Sequence, residues 1–202
     1  MMINIDGHSV YVRPNFKPKK NWAVFLDRDG AINQETHLLH KIKDFQLIPQ
    51  TSAAVKKLNQ QNIPAFVIHN AAVVCRGICS LQQVEKIGQH LIKQLAKDNV
   101  YIDAIFFCPH HKQAFNKDFI KDCDWRKPGS GMLKAAAKQF NLDLSKSFVI
   151  GDTPRDILAG QAVKATSILV QTGHAGKDAV YQAKPDKIST NILTAVNWIL
   201  KQ

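Results

Sequence analysis

Short apolar runs alternate along the chain with longer amphipathic stretches. The apolar runs are rich in residues that favour β-structure and predict five strands, at Ala23–Leu26, Ala65–Ile68, Ala104–Phe107, Phe148–Ile150 and Ser167–Val170. The amphipathic stretches predict helices at Ser52–Gln61, at Leu81–Leu95, at Met132–Phe140, from Pro154 onward and at Ile192–Leu200. This alternation predicts a doubly wound α/β fold, with helices on both faces of a parallel sheet and ligands at the carboxyl ends of its strands.

Length and composition fit a single domain with a full core. The chain has 202 residues, and we divide it into a basic N-terminal extension at residues 1–20 and one domain at residues 21–202. The first residues are too polar for a signal peptide, and no apolar run approaches the ~18 residues that span a membrane. We therefore expect a soluble cytoplasmic protein without membrane contact. Four cysteines in a chain of this length favour reduced thiols or metal ligands over a disulfide scaffold.

A formal net charge of +11 implies attraction to anions. The lysines are scattered rather than gathered in one run, which is also typical of a generally solvated basic surface. A small phosphorylated molecule is the partner that we favour, and nucleic acid is a less favoured one. We expect a monomer.

The first predicted strand ends in two carboxylates one residue apart, in the run Asp27-Arg28-Asp29-Gly30. Such a pair at the end of a buried strand suits magnesium-assisted phosphoryl transfer, in which one acid attacks phosphorus and the other handles the leaving group's proton. For an isolated pair, a solvated acidic turn is the better interpretation. Matching residues further along the chain favour the catalytic one.

Two of these matching residues are Lys127 and Asp152. A fixed lysine beside a phosphoryl group neutralises its charge, although a solvated basic turn explains Lys127 equally well by itself. Asp152 follows the strand at Phe148–Ile150 and would complete a magnesium site with Asp27. Asp156 lies three residues after Thr153, a spacing that favours helix capping over metal binding.

Together these residues resemble the haloacid dehalogenase superfamily of phosphatases. From about Trp22 to the C-terminus, the chain resembles in particular the D-glycero-D-manno-heptose 1,7-bisphosphate 7-phosphatases and their histidinol-phosphatase relatives. The segments that carry this resemblance are FLDRDGAIN from Phe25 to Asn33, Phe45–Pro49, Arg76-Gly77, Cys108-Pro109-His110-His111, Arg126-Lys127-Pro128 and Gly131-Met132. It implies a Rossmann-like fold with no large cap domain and a long, metal-binding type of loop near residues 108–126.

The resemblance also implies an activity: magnesium-dependent hydrolysis of a sugar phosphate through a phosphorylated Asp27, in the supply of heptose for lipopolysaccharide. In that scheme Asp29 is the acid and base, Lys127 steadies the phosphoryl group, and Mg²⁺ is held by Asp27, the Asp29 backbone and Asp152. The residues implied in substrate binding are Arg126, His69, Asn70 and the loop of Glu35, Thr36, His37 and Leu38. The alternatives are a phosphatase for histidinol phosphate or a nucleic-acid 3′-phosphate, and a weakened protein that only binds phosphate.

Several positions depart from the family pattern. Residues 69–72 read His-Asn-Ala-Ala where the family has Thr-Asn-Gln-Ser, and Thr153 stands where a lysine is usual. The imidazole of His69 could still donate to a phosphoryl group and could carry charge near its ordinary pKa of ~6.5; alone, it also fits a strand-to-helix loop with a histidine cap.

The family's zinc loop is also changed. Three of its ligands remain as Cys108, His110 and Cys123, but Trp125 occupies the fourth position and indole does not bind zinc. Either His111, Asp124 or water takes that position, or the metal is absent and the buried ring of Trp125 supports the loop. With three protein ligands, zinc would bind weakly and be lost readily to chelators.

Overall fold

The computed structural model describes residues 1–178 and 180–202 and is built around one eight-stranded sheet. In chain order the strands are β1 (Met2–Ile5), β2 (His8–Val12), β3 (Val24–Leu26), β4 (Ala65–Asn70), β5 (Ala104–Cys108), β6 (Phe148–Gly151), β7 (Thr166–Val170) and β8 (Lys187–Ser189). They lie side by side in the order β1-β2-β5-β4-β3-β6-β7-β8. Every pairing from β5 to β8 is parallel, whereas β1 and β2 join the sheet antiparallel.

Within the described residues, six α-helices accompany the sheet: α1 (Thr51–Gln60), α2 (Ala72–Cys75), α3 (Leu81–Ala96), α4 (Gly131–Phe140), α5 (Pro154–Gln161) and α6 (Ile192–Ile199). The five predicted strands and five predicted helices are confirmed, with boundaries within two residues. The doubly wound α/β fold is confirmed as well. The sequence pattern missed β1, β2, β8 and the single turn of α2.

The core explains why β3 is apolar throughout. Val24 and Leu26 face a cluster that includes residues of α1, α3 and α6, whereas Phe25 faces a second cluster with residues of α4 and α5. A strand buried on both faces has no polar side, so it reads as a continuous apolar run rather than an alternating one. The strand ends are consequently the only polar positions that β3 offers to a site.

The N-terminal residues contribute to the sheet in a way that the sequence analysis did not foresee. We interpreted residues 1–20 as an extension ahead of the domain, but β1 and β2 form a hairpin that pairs with β5. Asp6 and Gly7 connect the two strands with φ values of 49° and 80°, as a two-residue hairpin turn requires. The Asp-Gly pair between apolar residues was the signal that would have revealed this hairpin.

Residues 109–130 join β5 to α4 and hold one short 3₁₀ turn, at Lys117–Phe119, and an isolated β-bridge between His111 and Ile120. This is the long loop expected near residues 108–126.

Across the part of the chain that the structure describes, no helix combines the length and the apolar character needed to traverse a bilayer.

Candidate active site

The carboxyl ends of three neighbouring strands meet at one edge of the sheet. Asp27 follows β3, His69 and Asn70 end β4, and Asp152 follows β6. Because β3 lies between β4 and β6, these residues converge on a single cavity of about 110 Å³. The lining residues are Asp27, Asp29, Glu35, His69, Asn70, Lys127, Asp152, Thr153, Arg155 and His174.

Lys127 is the buried cation of this cavity. Its Nζ lies 2.8 Å from Asp27 Oδ1, donates to the Ile68 carbonyl at 3.0 Å, and contacts Asp156 Oδ1. These three contacts use all the donors of an ammonium group. Lys127 is thereby fixed beside Asp27, where the sequence analysis predicted a charge-neutralising lysine.

Asn70 holds the backbone that carries Lys127. Its side-chain amide donates to the Lys127 carbonyl at 2.9 Å and its Oδ1 accepts from the Lys127 backbone N–H at the same distance. We predicted Asn70 as a substrate-binding residue. The structure shows that it also ties the end of β4 to the lysine loop.

Asp27 is a buried carboxylate with both anionic and cationic neighbours. Burial raises its pKa well above the usual range, and the negative charge of Asp156 raises it further, while Lys127 acts in the opposite direction. Its Oδ1 accepts from the Arg28 backbone N–H at 2.7 Å as well as from Lys127. Both contacts fall on the same oxygen, so Oδ2 is the oxygen available to attack a substrate.

Asp152 provides an observation that fits a cation. Its Oδ2 accepts from the His174 backbone N–H at 2.7 Å, whereas its buried Oδ1 has no hydrogen-bond partner among the described residues. Burial raises the pKa of Asp152 to about 7, and Asp156 adds to this effect. Oxygen atoms of Asp27, Asp152 and Asp156 lie within 4.8 Å of one another.

The charges around this cluster do not balance within the protein. Three carboxylates are matched by one ammonium, that of Lys127, because the Arg28 guanidinium is paired with Asp29 instead. An uncompensated buried charge is costly, and a divalent cation with a preference for carboxylate oxygens would remove this excess. Asp27 and Asp152 therefore fit Mg²⁺ ligands.

Asp156 has the structural role that the sequence predicted. It closes a capping box with Thr153, whose backbone N–H and hydroxyl both bond to Asp156 Oδ2. Its other oxygen contacts Lys127. The capping interpretation is confirmed, and the contact with Lys127 adds a second function that the spacing alone did not reveal.

Two glycines make room for the Asp152 carboxylate. Gly30 has a φ of +83°, and a Cβ at this position would lie 2.1 Å from Asp152 Oδ2. Gly173 has a φ of +59°, and its Cβ would meet the same oxygen at 2.2 Å. Both positions require a residue without a side chain, in conformation and in space.

Asp29 is tied to its neighbours in this structure. The Arg28 guanidinium donates to both of its carboxylate oxygens, at 3.0 and 2.7 Å, and Asn33 donates to Oδ1 at 2.9 Å. A role in proton transfer therefore requires Asp29 to exchange part of this pairing for the substrate oxygen.

His69 is buried in surroundings that disfavour a charged ring. It is 2% exposed, its ring stacks on Phe107 with the centroids 5.6 Å apart, and its Nδ1 is unpartnered within the described chain. Burial lowers the pKa of His69 well below its ordinary value, and the charges of Arg28 and Lys127 add to this effect. The expectation that this ring could carry charge near neutral pH is therefore wrong, because burial and the two nearby cations, Arg28 and Lys127, all oppose its protonation.

We expect the buried His69 to make the protein less stable in mild acid. Below about pH 6.5 the unfolded state binds a proton that the folded state does not, so the free energy of unfolding falls as pH falls, by up to about 1.4 kcal/mol per pH unit. His69→Asn should reduce this slope, measured by urea unfolding between about pH 5 and 7.5. The exposed His37, changed to Asn, serves as the control. An unchanged slope in His69→Asn would show that the folded protein protonates His69.

A second cavity of about 270 Å³ adjoins the first and is strongly basic. Arg76, Arg126 and Arg155 line it. Burial lowers the pKa of Arg126, and the charges of Arg155 and Arg76 act in the same direction. Arg28 also lines the cavity but is paired with Asp29, so the other three guanidinium groups form the anion-binding surface.

The predicted sugar loop lies at the rim of this second cavity. Glu35, His37 and Leu38 line it, whereas Thr36 is exposed and is not among the lining residues. Glu35 accepts a hydrogen bond from the His37 backbone N–H at 2.6 Å. His37 and Leu38 both have positive φ values, 54° and 72°, which are unusual for residues with side chains.

The long loop after β5 forms a second cluster of ligand-type side chains, and it differs from our expectation. We predicted three donors, Cys108, His110 and Cys123. The structure adds His8 from β2, with one donor atom from each of the four residues within 4.8 Å of the others. The expected set of three donors is therefore corrected to four, because the hairpin brings His8 to this loop from the N-terminal part of the sequence. Trp125 is buried as expected.

Three residues of these sites were not found by the sequence reasoning. His174 lies in the loop after β7 and its backbone holds Asp152. Arg155 lies between the capping residues Thr153 and Asp156 and lines both cavities. His8 lay in a segment that we had interpreted as an extension. A polar run after a predicted strand was the available signal for His174, and the Asp-Gly turn was the signal for His8.

The chain is similar to known phosphatases along most of its length. A family model described as HAD-hydrolase-like matches residues 124–195. A D-glycero-D-manno-heptose-1,7-bisphosphate 7-phosphatase of Thermosynechococcus vestitus is 37% identical over 185 residues, which cover 88% of this chain and 94% of that protein. A D-glycero-beta-D-manno-heptose-1,7-bisphosphate 7-phosphatase of Photorhabdus laumondii is 38% identical over 152 residues, covering 75% of this chain and 81% of that protein.

A solved structure shows the same architecture. The D,D-heptose 1,7-bisphosphate phosphatase from B. bronchiseptica, crystallised with magnesium and phosphate, superimposes with a TM-score of 0.79 and 25% identity. The match covers 89% of this chain and 98% of that one.

Proposed function

Because the chain belongs to the D-glycero-D-manno-heptose 1,7-bisphosphate 7-phosphatase family of haloacid-dehalogenase-like hydrolases, and is thus a phosphoric monoester hydrolase, we propose that it removes the 7-phosphate of this bisphosphate. The reaction passes through a phosphorylated Asp27 and depends on Mg²⁺. The observation that carries this proposal is the arrangement around Asp27: a fixed ammonium on one oxygen, and nearby a buried carboxylate oxygen of Asp152 that has no partner in the described part of the chain.

In the first step Asp27 Oδ2 attacks phosphorus, and the bond between phosphorus and the sugar oxygen breaks. Asp29 protonates the departing sugar oxygen, which leaves as an alcohol. Lys127 faces Asp27 Oδ1 at 2.8 Å, so its charge stabilises both the attacking carboxylate and the negative charge that develops on the phosphoryl group.

In the second step Asp29 takes a proton from water, and the resulting hydroxide attacks the phosphorus of phospho-Asp27. The bond between phosphorus and Asp27 breaks, which restores the carboxylate and releases inorganic phosphate. One residue can serve as acid and then as base because the proton given to the sugar is replaced by one taken from water.

Mg²⁺, when bound, neutralises charge on the phosphoryl oxygens and the carboxylates. Asp27, Asp152 and the Asp29 backbone would hold it. The structural support is the excess of carboxylates over ammonium groups and the Oδ1 of Asp152, to which no described residue donates. Asp156 is excluded from this set because both of its oxygens are occupied by Thr153 and Lys127.

The arginine-lined cavity supports a substrate with two phosphates. While one phosphate reacts at Asp27, the second needs an anion-binding surface nearby, and Arg76, Arg126 and Arg155 supply one. The loop of Glu35–Leu38 lies beside this cavity and provides polar groups for the sugar between the phosphates.

We expect Arg76→Ala to weaken binding of the bisphosphate specifically. Loss of one charge-assisted hydrogen bond costs ~1.5–3 kcal/mol, so the KM for the 1,7-bisphosphate should rise by about 10- to 100-fold. The KM for heptose 7-phosphate, which lacks the second phosphate, should stay unchanged. The exposed Lys57 on α1, changed to Ala, controls for general surface charge. Equal effects on both substrates would contradict a second phosphate site in this cavity.

The experiment that tests the proposal is phosphate release from a defined substrate set, with and without Mg²⁺. The set contains D-glycero-D-manno-heptose 1,7-bisphosphate, heptose 7-phosphate, histidinol phosphate and an oligonucleotide with a 3′-phosphate. The proposal expects the highest kcat/KM for the bisphosphate and no turnover after chelation. A preference for histidinol phosphate or the oligonucleotide would overturn the substrate, and binding of all four without turnover would overturn the activity.

A further inference from the structure

The N-terminal hairpin brings a histidine to the loop that follows β5. Strand β2 pairs antiparallel with β5, with Tyr11 opposite Ile105 and Val12 opposite Ala104. Continued by three residues, the same register places His8 level with Cys108, the last residue of β5. The hairpin geometry thus determines which side chain faces the cysteine.

Four donor atoms converge at this point. Cys108 Sγ lies 3.8 Å from His110 Nδ1, and Cys123 Sγ lies 3.4 Å from His8 Nε2. In tetrahedral zinc sites the bonds are ~2.3 Å to sulfur and ~2.0–2.1 Å to nitrogen, which puts sulfur and nitrogen ligands about 3.6 Å apart. The two observed distances lie on either side of this value. All four cysteines of the chain are free thiols, so neither Cys108 nor Cys123 is consumed by a disulfide.

The surroundings of His8 orient its ring for metal binding. Its Nδ1 lies 3.1 Å from the Asp6 carbonyl oxygen, which can only accept, so Nδ1 carries the hydrogen. The lone pair is therefore on Nε2, the atom that faces Cys123. The ring also stacks on Trp125, with the centroids 4.0 Å apart and the planes 5° from parallel. A backbone carbonyl on the second nitrogen is the usual support of a metal-bound histidine.

We propose that His8 is the fourth ligand of a Cys₂His₂ zinc site formed with Cys108, His110 and Cys123. Trp125, which stands at the family's fourth ligand position, packs against His8 instead of binding metal. The zinc joins the N-terminal hairpin to the loop of residues 109–130. The site is separate from the carboxylate cluster, and the proposal does not depend on the substrate.

The other donors considered from the sequence are engaged elsewhere. His111 Nδ1 accepts from the Gln113 backbone N–H at 3.0 Å. The Asp124 carboxylate accepts from the Ser130 backbone N–H and from Lys134, both at 3.3 Å. Neither residue belongs to the four-donor group. His111 therefore provides a matched control, since it is a histidine adjacent to a ligand but outside the site.

The test measures metal binding rather than activity. Reduced protein, purified without chelator, is analysed for zinc content and then loaded with Co²⁺ to record the thiolate charge-transfer and tetrahedral d–d absorption. Wild type should hold one zinc per chain. His8→Ala should weaken zinc in chelator competition by at least about 100-fold and shift the d–d bands of cobalt. His8→Cys should restore most of the affinity, and His111→Ala should match wild type.

The proposal would be overturned by a His8→Ala variant that holds zinc like wild type, or by a loss of zinc in His111→Ala instead. A wild-type protein that takes up no stoichiometric zinc would overturn it as well. If His8→Ala does not fold, hydrogen exchange of wild type decides the question. Zinc should slow exchange of the β2 amides by at least about 10-fold, and unchanged exchange in a zinc-loaded protein would contradict a ligand from the hairpin.

Discussion

Replacing Asp27 by Asn is expected to lower kcat for phosphate release by at least about 10⁴-fold. An amide neither attacks phosphorus nor offers the second negative oxygen to Mg²⁺, and the other two carboxylates of the cluster are engaged by other groups. Asp152 is held by the His174 backbone N–H, and Asp156 by Lys127 and Thr153. Single-turnover phosphate release measures the effect directly.

The fold should survive this change. Asp27 is buried, and its pKa is raised by burial and by Asp156, so removal of its charge relieves repulsion. We therefore expect the midpoint of urea unfolding to stay equal or rise. Asp143→Asn, at an aspartate that the structure places outside both cavities, should leave kcat unchanged. Near-normal hydrolysis by Asp27→Asn would show that the reaction does not pass through an aspartyl phosphate.

Replacing Lys127 by Met is expected to have the largest effect on stability. The substitution keeps most of the side-chain volume but leaves the carboxylates of Asp27 and Asp156 without their shared cation. Removal of one partner from a buried ion pair costs about 3–5 kcal/mol in the free energy of unfolding. The loss should shrink as pH falls, because protonation of these acids removes the unpaired charge. Urea unfolding at two pH values measures both effects.

Two comparisons make this prediction specific. Lys134→Met breaks an exposed pair with Asp124 in which both side chains are 58% exposed, and it should cost less than about 1 kcal/mol. The double variant Asp27→Asn/Lys127→Met should be more stable than Lys127→Met alone, since it removes one of the two carboxylates left without a cation. Equal stability of Lys127→Met and wild type would contradict a structural ion network at Lys127.

The parallel part of the fold could be predicted because its signals are local. Each buried strand is a continuous apolar run, and each helix is an amphipathic segment of ten or so residues. Strand β8 and helix α2 were missed because three or four residues are too few to show a period. The hairpin of β1 and β2 was missed for another reason: Pro14, Pro18 and the lysines around them are typical of an extension outside a sheet, and they directly follow the strand that the Asp6-Gly7 turn begins.

The site, too, was predictable only where its signals are local. The sequence could bring together Asp27, Asp29, Lys127 and Asp152 because strand ends of a parallel sheet converge at one edge. The sequence could not predict the charge balance of the site, since that balance depends on which anion each cation pairs with. Arg28 pairs with Asp29, and Lys127 pairs with Asp27 and Asp156. The lowered pKa of His69 likewise follows from burial, which no residue pattern around position 69 indicates.

The contact between His8 and Cys123 also bears on the order in which the chain folds as it is made. These residues are 115 positions apart, and β2 needs β5 as its partner. At ~5–20 residues per second, a ribosome takes roughly 6–23 s to add the residues between them. During that time the hairpin has emerged but its place in the sheet does not yet exist. Docking of the hairpin onto the sheet therefore has to wait until β5 has been made, although the hairpin itself is complete well before that point.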